Sequence, residues 1–362
     1  MEINKKVAKL IRRVAISEGK IILETDELPD TEYAFYLYHK NGTDKLFYSP
    51  ESRVNFQIPI ETGEYSARFF YRTNDVVEVF TLFFVVDKDE KIYSAEKELV
   101  IDEDGFGFDY YNNNSLITFV VFNGDGTKIS TLPFGLGFLI KLGFNVIGVR
   151  QDNNCYQLLS YEKFREIVQP IVRGKKTFLY GSSLGGYCAL YYAGAINGVV
   201  IAAAPRNPIH SSIENMTTAV GKHDYLHEDM KSNPITSKFA LVVFDPENNV
   251  DKVFFDQVVA PSYPNLKLLE APNAGHEVLL HLNHTRQLKN IIINIVEGFY
   301  GNVRLDNSLK SPYTDKNLAF KHFKSGNYRE TIYYASSALK ESSKVKLDKE
   351  LVSIINHSLS KI

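Results

Sequence analysis

The chain has 362 residues, 44% hydrophobic and 23% charged, which is ordinary globular usage and too much chain for one small core. A net charge of −2 argues against a dedicated nucleic-acid surface, and no apolar run approaches the ~18 residues of a membrane span. The two cysteines, Cys155 and Cys188, have neither metal nor redox spacing and suit a reducing compartment; with no signal-peptide-like stretch at Met1–Val7, a cytoplasmic location is expected.

Residues 1–105 read as an all-β, sandwich-like accessory domain. Val54, Phe56 and Ile58 alternate with polar neighbours, as do Tyr65, Ala67, Phe69 and Tyr71, which is the period of a half-buried strand. Turn signals at Asn41-Gly42, Ser49-Pro50, Thr62-Gly63 and Thr73-Asn74-Asp75 separate the runs. Tyr33, Tyr36, Tyr38, Tyr48 and Tyr65 could stack on sugars, although aromatics also simply suit strands. Asp102 to Asn114, with Gly105, Gly107 and three consecutive asparagines, reads as a linker.

Residues 115–300 alternate strand and helix, the pattern of a mostly parallel sheet flanked by helices, so the fold class is α/β. Strands are predicted at 117–123, 145–150, 177–181, 198–204, 239–245 and 266–271, and helices at 132–142, 161–172, 185–195 and 251–260, with a last helix over 285–300. Residues 312–362 form a charged helical tail, in which 318–339 resembles one tetratricopeptide hairpin. A single such unit cannot bury its own face, so the tail must pack on the preceding domain, on another copy or on a protein partner.

The chemistry concentrates at Phe178-Leu179-Tyr180-Gly181-Ser182-Ser183-Leu184-Gly185-Gly186, an apolar strand entering G-x-S-x-G and then a small-residue helix. That flanking is what a strained strand-to-helix turn requires to lift one hydroxyl out of the fold, and it makes Ser183 the nucleophile. A serine nucleophile needs a base, an acid to orient the base, and oxyanion donors. His276, after the last predicted strand in Asn273-Ala274-Gly275-His276, is the base; His281 and His284 are weaker choices. The acid lies in the loop 245–251, where Asp251 and Asp245 are both offered and Glu247 ranks third; Asp251 could instead cap the next helix. Oxyanion donors are expected from the backbone of Leu184 and from the loop containing Gly124 and Asp125. Asp152, Asn154, Tyr156 and Arg206 follow strand ends and are candidate substrate contacts, and 211–233 sits where a lid would be inserted.

The elbow at Ser183, the acidic loop at 245–251 and Gly275-His276 occur in the order found in the α/β-hydrolase superfamily, which the segment 117–300 resembles. With its tyrosine-rich β-domain in front, the chain also looks like the serine hydrolases of bacterial surface-polysaccharide or glycoprotein export loci, which include esterases and O-acetyltransferases. The resemblance implies a Ser-His-Asp enzyme that acts on a glycan or other small-molecule ester through an acyl-enzyme. Two departures stand out: the loop after the first α/β strand lacks an HGGG form, and Asn248 stands where many members carry Asp. No phosphate loop or dinucleotide fingerprint is present, and His223 and His227 lack the glutamate of a helical zinc motif, so no cofactor and no metal are expected. A non-catalytic glycan-binding or scaffold protein built on a hydrolase-like core is the rival reading.

Overall fold

The computed structural model describes residues 7–103, 105–152, 158–208, 210, 227, 230–341 and 349–362. The chain forms both helices and strands and divides into two compact units. One gathers Met1–Val121, Thr127–Cys155 and Pro170–Phe178; the other gathers Phe122–Gly126, Tyr156–Gln169 and Leu179–Ile362.

The first unit holds β1 (Arg12–Ser17), β2 (Lys20–Thr25), β3 (Glu32–His39), β4 (Gly42–Ser49), β5 (Arg53–Phe56), β6 (Gly63–Thr73), β7 (Val76–Val86), β8 (Ile92–Glu103), β9 (Phe106–Asn112), most of β10 (Ile117–Phe122) and β11 (Asn145–Gln151). Strands β1, β2 and β5 form an antiparallel sheet of their own, and the rest follow the order β10-β11-β9-β8-β7-β6-β3-β4. The period-2 pattern of β6 explains the packing. Tyr65, Ala67, Phe69 and Tyr71 are buried on one face and share a core with Ile21 and Leu23 of β2 and Phe35 and Leu37 of β3. At the β6–β7 hairpin, Asn74 and Asp75 take φ of 49° and 64°, a two-residue turn whose twist matches that of the strands it joins. Tyr33 and Tyr65 belong to the core, whereas Tyr36, Tyr38 and Tyr48 carry Lys45, Arg68 and Arg72 over their rings at 4.9, 5.2 and 4.0 Å.

The linker expected at 102–114 is a strand instead. β9 pairs antiparallel with both β8 and β11, and Phe106 to Tyr111 are buried. Its alternating aromatics supply side chains to the packed faces, and Gly107 marks a close approach: a Cβ there would lie 2.8 Å from both Arg150 Nη2 and Asp102 Oδ1. Strand β11, expected in a parallel sheet, consequently runs antiparallel to β9.

The chain passes into the second unit for the last time within β12 (Lys176–Ser182) and continues through β13 (Val199–Ala203), β14 (Ala240–Phe244) and β15 (Lys267–Glu270). These four lie side by side in that order, and the β13–β14 and β14–β15 pairs are parallel. Among the described residues the α-helices of six residues or more, in chain order, are α1 (Leu136–Lys141) of the first unit, α2 (Tyr161–Val172), α3 (Leu184–Ile196), α4 (Asn249–Phe254), α5 (Val278–His284), α6 (Gln287–Glu297), α7 (Pro312–Lys324), α8 (Tyr328–Glu341) and α9 (Lys349–Leu359). The helix expected over 285–300 runs as Gln287–Glu297, and Arg286, at a left-handed φ of 60°, separates it from α5. The tail adds α9 to the expected hairpin. Tyr313, Ala319, Ala335, Ala338, Leu351 and Ile354 form its core, with Leu280 of α5 packed against it.

Candidate active site

The site is built entirely from the second unit. Strand β12 ends at Ser182, α3 begins at Leu184, and Ser183 between them has φ 57° and ψ −125°. No unstrained side-chain-bearing residue prefers that conformation, which costs on the order of 1–3 kcal/mol and persists only where surrounding packing enforces it. The packing here is backbone on backbone. A Cβ at Gly181 would collide with Gly185, and a Cβ at Gly185 would collide with the Phe122 carbonyl at the end of β10. The Ser183 N–H donates to Ala203 O (2.9 Å) and its carbonyl accepts from Arg206 N–H (3.2 Å), fixing the turn against β13. Helix α3 is buried nearly all round, as its apolar composition dictates, so it holds the elbow rigidly.

Ser183 Oγ lies 2.9 Å from His276 Nε2, and His276 Nδ1 lies 2.8 and 2.9 Å from the two carboxylate oxygens of Asp251. Protonation at Nδ1 satisfies both contacts: Nδ1–H donates to Asp251 and Nε2 accepts the serine hydroxyl. The Asp251 side chain is fully buried while the imidazole is a quarter exposed, so the relay opens outward only at its working end. Asp251 is not a helix cap. That role falls to Asn248, whose side chain accepts from Asp251 N–H at 3.2 Å, which places Asp251 in the first turn of α4. The departure noted at Asn248 thus has a structural role.

Asp245, the other carboxylate offered by the sequence, does not reach the imidazole through any described contact. Its Oδ2 accepts from Gly275 N–H at 2.7 Å and its Oδ1 from Glu247 N–H at 2.9 Å, so it ties the acidic loop to the histidine loop. Burial holds its pKa above the usual carboxylate range, and the donated N–H bonds offset only part of that rise. Glu247 is taken up by Lys321 at 2.9 Å.

Leu184 is the first residue of α3, so its N–H has no partner within the helix. Asn123 follows β10, whose end lies against Gly185, and the loop through Gly124 and the exposed Asp125 continues from there. Arg206, read from the sequence as a substrate contact, sits 3.4 Å from Asp251 Oδ1 and directs its charge at the acid. Asp152 belongs to the first unit and accepts from Ile129 N–H at 3.4 Å. Asn154 and Tyr156 lie outside the described residues, as do His223 and all of 211–229 except His227. His227 is buried, with Nε2 at 2.6 Å from Tyr192 Oη and at 3.0 Å from the Leu159 carbonyl. His281 is buried against Ser311 Oγ at 3.0 Å, and His284 is exposed. Burial raises the pKa of the Cys188 thiol, on the same helix as the elbow, and so disfavours its thiolate. Among the described residues no group of three or more His, Cys, Asp or Glu is arranged to hold a metal ion.

Two functional placements escaped the sequence. Asp245 as a loop tie had a local signal, an Asx turn onto Glu247, but nothing local pointed to Gly275. Arg206 follows a strand end like a ligand contact, and only the fold turns it towards Asp251. Compared with protein-family models and with curated proteins, the chain matches none. The arrangement itself is one that can take a proton from a hydroxyl, hold the resulting imidazolium beside a buried carboxylate, and return the proton to a leaving group.

Proposed function

We propose that the protein is a serine hydrolase of the α/β-hydrolase type, working through an acyl-enzyme on an ester. The observation that carries the reading is the relay Ser183–His276–Asp251, at 2.9 and 2.8 Å, mounted on an elbow held at positive φ. Ser183 Oγ attacks the acyl carbonyl as His276 Nε2 takes its proton, and Asp251 stabilises the imidazolium. The oxyanion is received by Leu184 N–H and by a backbone N–H of the Gly124–Asp125 loop. Collapse of the tetrahedral intermediate breaks the ester C–O bond, and His276 returns the proton to the departing alcohol. A second hydroxyl, from water or from a sugar, then gives its proton to His276, attacks the acyl-enzyme and frees Ser183. Water makes the protein an esterase, and a sugar hydroxyl makes it an O-acyltransferase.

A glycan ester is the substrate class we favour, on the resemblance to enzymes of surface-polysaccharide loci. The test is labelling of the purified protein by a fluorophosphonate, with Ser183→Ala alongside. Wild-type labelling that the variant loses is expected; unlabelled, folded wild-type protein sinks the reading. Acetylated oligosaccharides incubated with the labelling-competent enzyme then separate acetate release from transfer.

A further inference from the structure

We propose that helix α7 of the C-terminal tail is part of the catalytic apparatus, with Asn317 as a positioning residue that holds His276 in line. The inference rests on the triad reading and assigns to the tail a task beyond packing.

The loop bearing His276 is an unusual piece of backbone. Asn273 and Gly275 both take left-handed φ, 62° and 69°, and Ala271 and Ala274 anchor its start through N–H bonds to Phe244 O (2.9 Å) and Ala271 O (3.2 Å). From one side, Asp245 accepts Gly275 N–H. From the other comes α7. Asn317 Nδ2 donates to Asn273 O at 3.1 Å and to Tyr313 O, one turn back in its own helix, at 2.9 Å. Both amide hydrogens are therefore committed, one to the loop and one to α7, which fixes the rotamer. The same amide fills the space above Gly275 so closely that a Cβ on that residue would collide with it. Hydrogen bond and contact together seat Asn273 and Gly275, two of the three residues that precede His276.

The platform behind Asn317 is itself well founded. Ser311 and Thr314 form a reciprocal capping box, Pro312 opens the helix, and Tyr313 and Ala319 are buried in the tail core. Ser311 Oγ also bonds His281 on α5, the helix that follows the histidine loop. Lys321 adds an exposed ion pair to Glu247, which contributes little energy but lies on the same path to the acidic loop. A catalytic base displaced by even ~1 Å loses about 10²-fold in rate, so a residue that seats the loop acts on turnover without touching substrate.

The experiment compares wild type with Asn317→Asp, which keeps the shape but faces a carboxylate to the Asn273 carbonyl, and with Asn317→Ser, which carries the comparison should the first variant not fold. Fluorophosphonate titration gives the fraction of competent sites, and the rate of labelling per competent site is measured separately. The expected result is a per-site labelling rate and kcat on an activated ester lowered about 10- to 100-fold, with KM within twofold of wild type. A merely structural role would lower the competent fraction and leave the per-site rate unchanged, and that result overturns the proposal. If the wild type itself is unlabelled, the triad reading falls and this inference with it; if the wild type labels and the variants match it per site, this inference alone falls.

Discussion

At the residue scale, two aspartates six positions apart, one just past β14 and one in the first turn of α4, make different contacts. Asp251 touches the imidazole, and Asp245 receives backbone N–H groups from Gly275 in the histidine loop and Glu247 in the acidic loop. Substitution by asparagine should separate them. Asp251→Asn retains the shape but favours the wrong imidazole tautomer, so kcat should fall by about 10³- to 10⁴-fold with little change in the denaturation midpoint. Asp245→Asn can accept only one of the two N–H bonds and buries an amide N–H₂ beside the other donor, so a loss of stability of about 1–3 kcal/mol is expected. Its per-site labelling rate should fall less than that of Asp251→Asn. Measuring denaturation and active-site titration on both variants checks the division, and an Asp245→Asn enzyme slower per site than Asp251→Asn would reverse the assignment. Arg206 adds a third part, because a guanidinium 3.4 Å from a fully buried carboxylate offsets the desolvation of that charge.

At the element scale, the junction of α5 and α7 is expected to lose stability on acidification. Burial, with His284 nearby, holds the pKa of His281 below its ordinary value of about 6.5. The unfolded chain therefore binds a proton that the folded one resists. The contribution is fully present above pH ~6.5 and is lost as pH falls through that value towards the lower folded pKa. Denaturation midpoints at pH 7.5 and 5.5 should show wild type losing stability on acidification, and His281→Asn losing less; equal losses would show that another group dominates. The elements differ in how legible they were. β6 and the strand leading to Ser183 could be read directly, because alternation and a continuous apolar run each report burial on known faces. β9 was not legible, since Gly105 and Gly107 look like turn residues when the Arg150 guanidinium that needs the space is more than 40 residues away. The site divides the same way. Ser183 and His276 stand in local patterns, whereas the choice of Asp251 over Asp245 depends on where α4 begins and what Gly275 bonds, and Asn317 carries no local signal at all.

At the scale of the whole molecule, the chain passes repeatedly between its two units, so neither corresponds to a continuous stretch of sequence. A fragment of residues 115–300, which looks self-contained on its strand and helix pattern, lacks β9, the antiparallel partner of β11, and lacks α7 beside the histidine loop. It should show no cooperative unfolding and no fluorophosphonate labelling under conditions where the full chain shows both. A fragment that labels at the full-chain rate would mean the outlying strands and helices are dispensable. The distance between loop and support also has a bearing on biosynthesis. Asn273 and Asn317 are 44 positions apart, and at a translation rate of ~5–20 residues per second the ribosome needs about 2–9 s to cover them. Once His276 has been added, the proposed nucleophile, acid and base have all been made, but the amide inferred to seat the base has not. On the proposed function and the role inferred for Asn317, a nascent chain would attack esters in its surroundings about 10- to 100-fold more slowly until its last helices have been synthesised and docked.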